Sequence, residues 1–199
     1  MENSKMMKTA VVIDKILKIL KGTAAVCSGV CLVFAVLTLF LGEKIVAHAD
    51  IVSLGPLRLT LKDGFSLLNE SAMKTGLTIS LVFSAISLVI CVYGIGLIRR
   101  VLEPVKEGRP FDKGISETIK KLAWVALIGG AVIQICESIT KIAEIKAYDF
   151  AAFFSGTVTG LSFNGMIDCG FIVTACVLFL LSYVFRYGEE LQRESDETL

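Results

Sequence analysis

The sequence predicts an all-α integral membrane protein with four transmembrane helices in two hairpins and a small extracytoplasmic strand-containing cap. Three observations predict it. The 199 residues are 54% hydrophobic, with a mean hydropathy of +0.73, and the apolar residues lie in long runs that a soluble domain of this size does not keep. Five stretches carry no Asp, Glu, Lys, Arg or His: residues 22–42, 75–98, 122–136, 150–167 and 169–185. The charge between them is uneven, with 14 of the 20 Lys and Arg in residues 1–21, 99–121 and 186–199.

A helix needs roughly 20 apolar residues to cross about 30 Å of hydrocarbon. The first two stretches qualify outright. Residues 122–136 and 169–185 are shorter, but their flanks are apolar and a Lys or Glu at a helix end can snorkel to the interface. Spans are therefore expected at 22–42, 75–98, 119–140 and 164–186, in one membrane domain. Residues 150–167 are excluded, because Gly156, Gly160 and Gly165 among Ser, Thr and Asn describe irregular backbone that lipid cannot satisfy. The excess of positive charge places 1–21, 99–121 and 187–199 in the cytoplasm and 43–74 and 141–163 outside. The N-terminal lysines followed by an apolar run resemble a secretory signal. That run is about twice a typical signal core, and Glu43 and Lys44 intervene before Ala47-His48-Ala49, so a retained first span is expected.

In residues 9–21, Ile13, Ile16, Leu17 and Leu20 share one helical face, and Asp14, Lys15, Lys18 and Lys21 the other. This is an amphipathic helix, either lying on the inner surface or extending span one. In the first external loop, Leu57, Leu59 and Leu61 alternate with Arg58, Thr60 and Lys62 after a Gly55-Pro56 turn, a half-buried strand pattern. Residues 157–163 offer a comparable piece, and pairing of the two would make the cap. Span two has a small face of Ser80, Ser84, Ser87, Cys91 and Gly94, expected to pack against another helix. The six cysteines lie within or at the edge of spans, without zinc or disulfide spacing, and read as small packing residues. The one histidine, His48, has no partner ligand nearby in sequence, so no metal or cofactor is expected.

On helix three, expected from near Asp112 to near Lys146, Gln134, Glu137 and Lys141 form a polar stripe at the outer leaflet, where Asp168 of span four lies level with them. Polar residues at membrane depth are candidate ligand sites, and a solvated helix extension is the plainer reading. The two halves of the chain share an outline of basic turn, span, strand-like piece and span, which hints at a parallel repeat.

Between the hairpins, Pro110 disfavours helix at Arg109, and Asp112 is placed to cap helix three. Residues 99–121 carry net charge +3, and 186–199 carry −3, so the tail can dock on this loop. The segment Gly108-Arg109-Pro110-Phe111 resembles the Gly-x-Pro-Phe loop of the domain of unknown function 2975 family of bacterial four-span membrane proteins. The tail is similar too, through Phe185, Gly188, Leu191, Glu194, Asp196, Thr198 and Leu199. The resemblance covers essentially the whole chain. It departs at Asp112-Lys113, where many members have Thr-Pro, although both serve as cap and first turn. It implies four spans, no assigned activity and a gene beside a small helix-turn-helix regulator. A membrane protein that holds or releases such a regulator follows as an expectation, with Gly108, Arg109, Pro110, Phe111, Asp112, Gly188, Leu191, Glu194 and Asp196 as the partner surface.

An enzyme is not expected, since no phosphate loop, acid pair or His-containing constellation is present. Direct nucleic-acid binding is not expected either, with a net charge of +1. The lipid bilayer is the one partner that composition demands. Transport or immunity against a membrane-active peptide is the rival class, motivated by the polar stripe and the serine face.

Overall fold

The computed structural model describes residues 2–46, 51–54, 57–60, 70–109, 111–147 and 168–197. Helix α1 is Glu2–Val46, strands β1 and β2 are Ile51–Leu54 and Leu57–Thr60, and helices α2, α3 and α4 are Glu70–Lys106, Ile115–Ala147 and Gly170–Glu197. Each of the four helices is long and apolar enough to cross a bilayer, and the protein is a multi-pass membrane protein. Helix α3 matches the expected extent closely. Helix α4 starts later than expected, because Asp168 and Cys169 are not helical; residues 164–167 lie outside the described set.

The chain divides into two compact units. The first contains Met1–Ser28, Ile86–Gln134 and Ile167–Leu199. Its buried residues are mostly small or aliphatic: Ala10, Leu97, Ile115, Ile119, Ala123 and Ala175. Small residues suit a bundle in lipid, where close backbone approach replaces the hydrophobic drive that water supplies. Gly129 shows the geometry, since a Cβ there would lie 2.7 Å from Ile90 Cγ2 on α2. Gly130 is pressed against Phe171 of α4. Trp124 of α3 meets Phe179 of α4 edge to face, with centroids 5.4 Å apart.

The second unit contains Gly29–Ala85 and Ile135–Met166. Here Ala35, Ala85 and Cys136 are buried, and the hydroxyls of Thr38 and Thr78 lie 3.0 Å apart between α1 and α2. Strands β1 and β2 pair antiparallel, from Ile51 opposite Thr60 to Leu54 opposite Leu57. The expected cap is therefore not what the described residues form: the two strands pair only with each other, in a single short loop. Residues 157–163 lie outside the described set. Two strands alone make a marginal sheet, and the fold rests on the helices.

The N-terminal segment is the start of one continuous α1, the second of the two readings the sequence left open: Ile13, Ile16 and Leu20 are exposed, while Asp14 turns to α2. Lipid satisfies aliphatic side chains, whereas a carboxylate at this depth requires a cation. Two expectations about packing faces are corrected. The serine face of α2 does not pack as one stripe, since Ser84 and Cys91 are exposed while Ala85 and Leu97 are buried. Nor do the cysteines serve mainly as packing residues. Cys136 is buried, but Cys27, Cys91, Cys169 and Cys176 are exposed.

Candidate functional site

The loop between α2 and α3 is built by backbone geometry before any side chain acts. Gly108 has φ of +79°, its amide donates to the Val105 carbonyl at 3.1 Å, and the Arg109 amide donates to the Pro104 carbonyl at 3.0 Å. This pair of bonds is the Schellman closure of α2, and its left-handed residue is glycine because a Cβ there is strained. The chain then turns to α3, whose first free amides need acceptors.

The acceptor is not the expected one. Asp112 Oδ1 accepts the Lys113 amide at 2.8 Å, outside the helix. The buried Ser116 amide in the first turn instead donates to Glu189 Oε1 at 2.7 Å, and the Ser116 hydroxyl donates to Glu189 Oε2 at 3.0 Å. The Ser182 hydroxyl, also buried, donates to the Ser116 carbonyl at 2.9 Å. A carboxylate from α4, 73 residues away in sequence, thus caps α3, where the positive end of the helix dipole favours it. Glu189→Ala is expected to cost about 1 kcal/mol of stability, the usual scale of a lost N-cap. Chemical denaturation in detergent, followed by helical circular dichroism, checks this; an unchanged midpoint would show that water replaces the carboxylate at no cost.

Phe111 completes the joint. Its ring packs on Phe185 with centroids 5.5 Å apart. The same ring lies so close to Gly188 that a Cβ there would be 2.5 Å from Phe111 Cδ1. The tail therefore docks on the loop through an aromatic contact and a carboxylate cap. The tail's arginines pair within α4, Arg186 with Glu190 at 3.4 Å and Arg193 with Glu197 at 3.7 Å. Arg109 pairs with Glu107 and, at 3.5 Å, with Asp112. The Glu107 hydrogen bond, then the Asp112 charge, raise the Arg109 pKa further.

Of the other expected partner residues, Leu191 and Glu194 are exposed on α4, Asp196 is helical, and Pro110 lies outside the described residues. The outer polar stripe is only partly assembled. Gln134 Oε1 accepts the Asp168 amide at 3.2 Å, while Asp168 Oδ1 accepts the Gly170 amide at 2.8 Å at the start of α4. Asp168 is thus a helix-end acceptor. Glu137 and Lys141 are exposed and belong to the second unit.

Sequence reasoning missed a charge cluster. Asp14 accepts from Arg99 at 2.8 Å and from Lys106 at 2.9 Å, tying α1 to α2. Arg99 and Lys106 are seven apart and so share a helical face, which was a legible signal; the carboxylate opposite them was not. Beside the loop–tail joint lies an open groove of about 940 Å³ between the start of α3 and the end of α4.

The family model for a protein of unknown function (DUF2975) matches residues 66–199. No curated protein and no solved structure matches the chain. The matched residues include the loop, the tail and all of α3 and α4, so the segments that interlock at this corner are those the family model describes, and the chain belongs to the DUF2975 family.

Proposed function

We propose that this is a non-catalytic regulatory protein of a bacterial inner membrane, whose loop–tail corner docks a small soluble regulator on the cytoplasmic side. One observation carries the reading: Phe111 of the Gly-Arg-Pro-Phe segment packs on Phe185 and against Gly188 of the tail. The two segments that resemble the family motifs therefore form one surface beyond the spans. The concentration of Lys and Arg at the N-terminus, loop and tail supports the cytoplasmic side for this corner. Around the joint, Arg109, Phe111, Leu191 and Glu194 are exposed, offering a partner both charge and apolar area. The family resemblance supplies the kind of partner, a helix-turn-helix regulator. Transport keeps only its sequence motivation, the polar stripe and the serine face.

The test is co-purification of a tagged chain from cross-linked membranes, with mass spectrometry of the soluble proteins retained. Arg109→Ala, an exposed change that leaves the Phe111 joint intact, is expected to lower recovery about tenfold, equivalent to about 1.4 kcal/mol. Equal recovery with Arg109→Ala and with the tail removed from residue 190 onward would defeat the proposal.

A further inference from the structure

The face that α1 turns inward in the first unit is marked by burial. Among residues 7–28, only Ala10, Asp14, Leu17, Lys21, Ala24 and Ser28 are not exposed. They alternate four and three residues apart, the spacing of a helix–helix seam. Across that seam Asp14 is tied to Arg99 and Lys106. Lys21 holds the same seam, but among the described residues no carboxylate pairs with it. Its ammonium lies over bare α2 backbone instead, where a Cβ added at Gly96 would be 3.3 Å from Lys21 Nζ.

The depth of this ammonium gives it a need for charge. Lys21 immediately precedes the charge-free run 22–42, Arg99 immediately follows the run 75–98, and Gly96 lies inside that run. A cation at the edge of the hydrocarbon is costly without an opposite charge, and these two helices supply too few. Residues 8–21 and 99–106 carry seven basic side chains against two acidic ones, Asp14 and Glu103. Asp14 is shared by two cations, and Glu103, exposed on α2, already acts on Arg99. The groove between α3 and α4 has no acid to spare, being lined by five acidic and five basic side chains. Gly96 and Arg99 are three residues apart and so neighbours on one face of α2, which sets the Lys21 ammonium about one turn deeper than the Arg99 guanidinium. The Arg99 bond to Asp14 engages one of its N–H donors, and a guanidinium carries five.

We infer that this end of the α1–α2 seam binds one anionic phospholipid, its phosphate held between Lys21 Nζ and the remaining Arg99 donors, with the exposed Lys18 and Arg100 at the rim. Basic pockets between spanning helices hold acidic headgroups in this way. A zwitterionic lipid brings a choline or ethanolamine cation along with its phosphate, whereas phosphatidylglycerol answers the positive excess. The site shares no residue with the partner surface, and its test contains no partner protein, so the two proposals fail separately.

The full-length protein is purified in a mild detergent, stripped of lipid and titrated with phosphatidylglycerol, phosphatidylcholine or inorganic phosphate. Native mass spectrometry counts the bound copies. The first phosphatidylglycerol is expected to bind at least about fivefold more tightly than phosphatidylcholine, and inorganic phosphate not to be retained. A lysine near an anionic surface is worth about a fivefold enrichment, so Lys21→Gln should remove most of the preference and Lys21→Arg should keep it. Lys8 and Lys15, seven apart on another face of α1, are both exposed; changing both to Gln removes twice the charge and should leave the preference within twofold. Unfolding midpoints of the lipid-free Lys21→Gln and unaltered proteins should match, because Lys21 has no carboxylate to lose. Equal affinity for the two lipids overturns the inference, as does an unaffected Lys21→Gln variant. Phosphate bound as tightly as phosphatidylglycerol would mark a free-anion site and also overturn it. So would an equal loss in the Lys8 and Lys15 variant, which would reveal only general attraction to negative charge.

Discussion

Gly130→Ala is expected to destabilise the protein by about 1–3 kcal/mol, the cost of overpacking a close contact, whereas Gly29→Ala is expected to be neutral or mildly stabilising. The contrast follows from what an added methyl would meet. At Gly130 it would lie 2.5 Å from Phe171 Cγ, and Phe171 Cβ also stands in its way. That carbon is fixed to the backbone near the start of α4, so rotation of the ring cannot clear it and the two helices must separate. At Gly29 nothing lies within 4 Å, and alanine then brings its helix propensity, up to about 1 kcal/mol over glycine. Gly129 falls between them, because the atom it would meet is Ile90 Cγ2, a side-chain end that can turn away. Thermal unfolding in a mild detergent, followed by circular dichroism at matched protein and detergent concentrations, ranks the three. Indistinguishable midpoints for Gly130→Ala and Gly29→Ala would show that α3 and α4 do not approach as closely as described.

That ranking could not be drawn from the sequence, and the reason is physical. In water, an amphipathic pattern reveals which face of a helix is buried, because polar groups mark the outside. In lipid both faces are apolar, so the charge-free runs located α1 to α4 without orienting them. Helix α3 was expected from near Asp112 to near Lys146 and runs Ile115–Ala147, while the small face of α2 packs only in part, with Gly94 approaching Val125 of α3 and Ser84 and Cys91 exposed. The same limit applies at the caps. Local spacing singled out Asp112 for α3, since a capping side chain normally lies just before its helix. The actual acceptor, Glu189, is on another helix, and no spacing rule reaches that far. The loop itself was legible, because Gly108 and Pro110 constrain the backbone wherever they occur. Its partner in the tail was legible only as opposite charge, and the joint is made by Phe111, Phe185, Gly188 and Glu189 instead. Gln134 and Asp168 were grouped by spacing, and they meet through a hydrogen bond from the Asp168 amide to Gln134 Oε1 at a helix end.

The consequence for the N-terminal helix is the second large effect: Asp14→Ala is expected to cost about 2 kcal/mol and to loosen α1 from α2. A hydrogen bond to a charged group contributes about 1.5–3 kcal/mol, and Asp14 accepts from both Arg99 and Lys106. The side chains of the three residues are 17%, 31% and 23% exposed, respectively, so part of the interaction is screened and the two bonds do not simply add. Loss of the carboxylate leaves two like charges on one face of α2 at the edge of the apolar run ending at Ile98. Arg99 and Lys106 must then reach water along their aliphatic stems, and α1 loses its polar tie. Because Ile13, Ile16 and Leu20 already face outward, the ion cluster is the polar tie of this end of α1 beside its buried small residues. Arg99→Ala alone should be milder, since Lys106 remains to neutralise Asp14. A double-mutant cycle between Asp14→Ala and Arg99→Ala, read from denaturation midpoints in detergent, isolates the pair. A coupling energy near zero would mean that the ion cluster is incidental and that α1 is held by its small buried residues, Ala10 and Ser28. A coupling above about 1 kcal/mol places it among charged groups that share contacts rather than independent sites. In that case the cluster fixes the N-terminal part of α1 against the end of α2, within one unit of the fold.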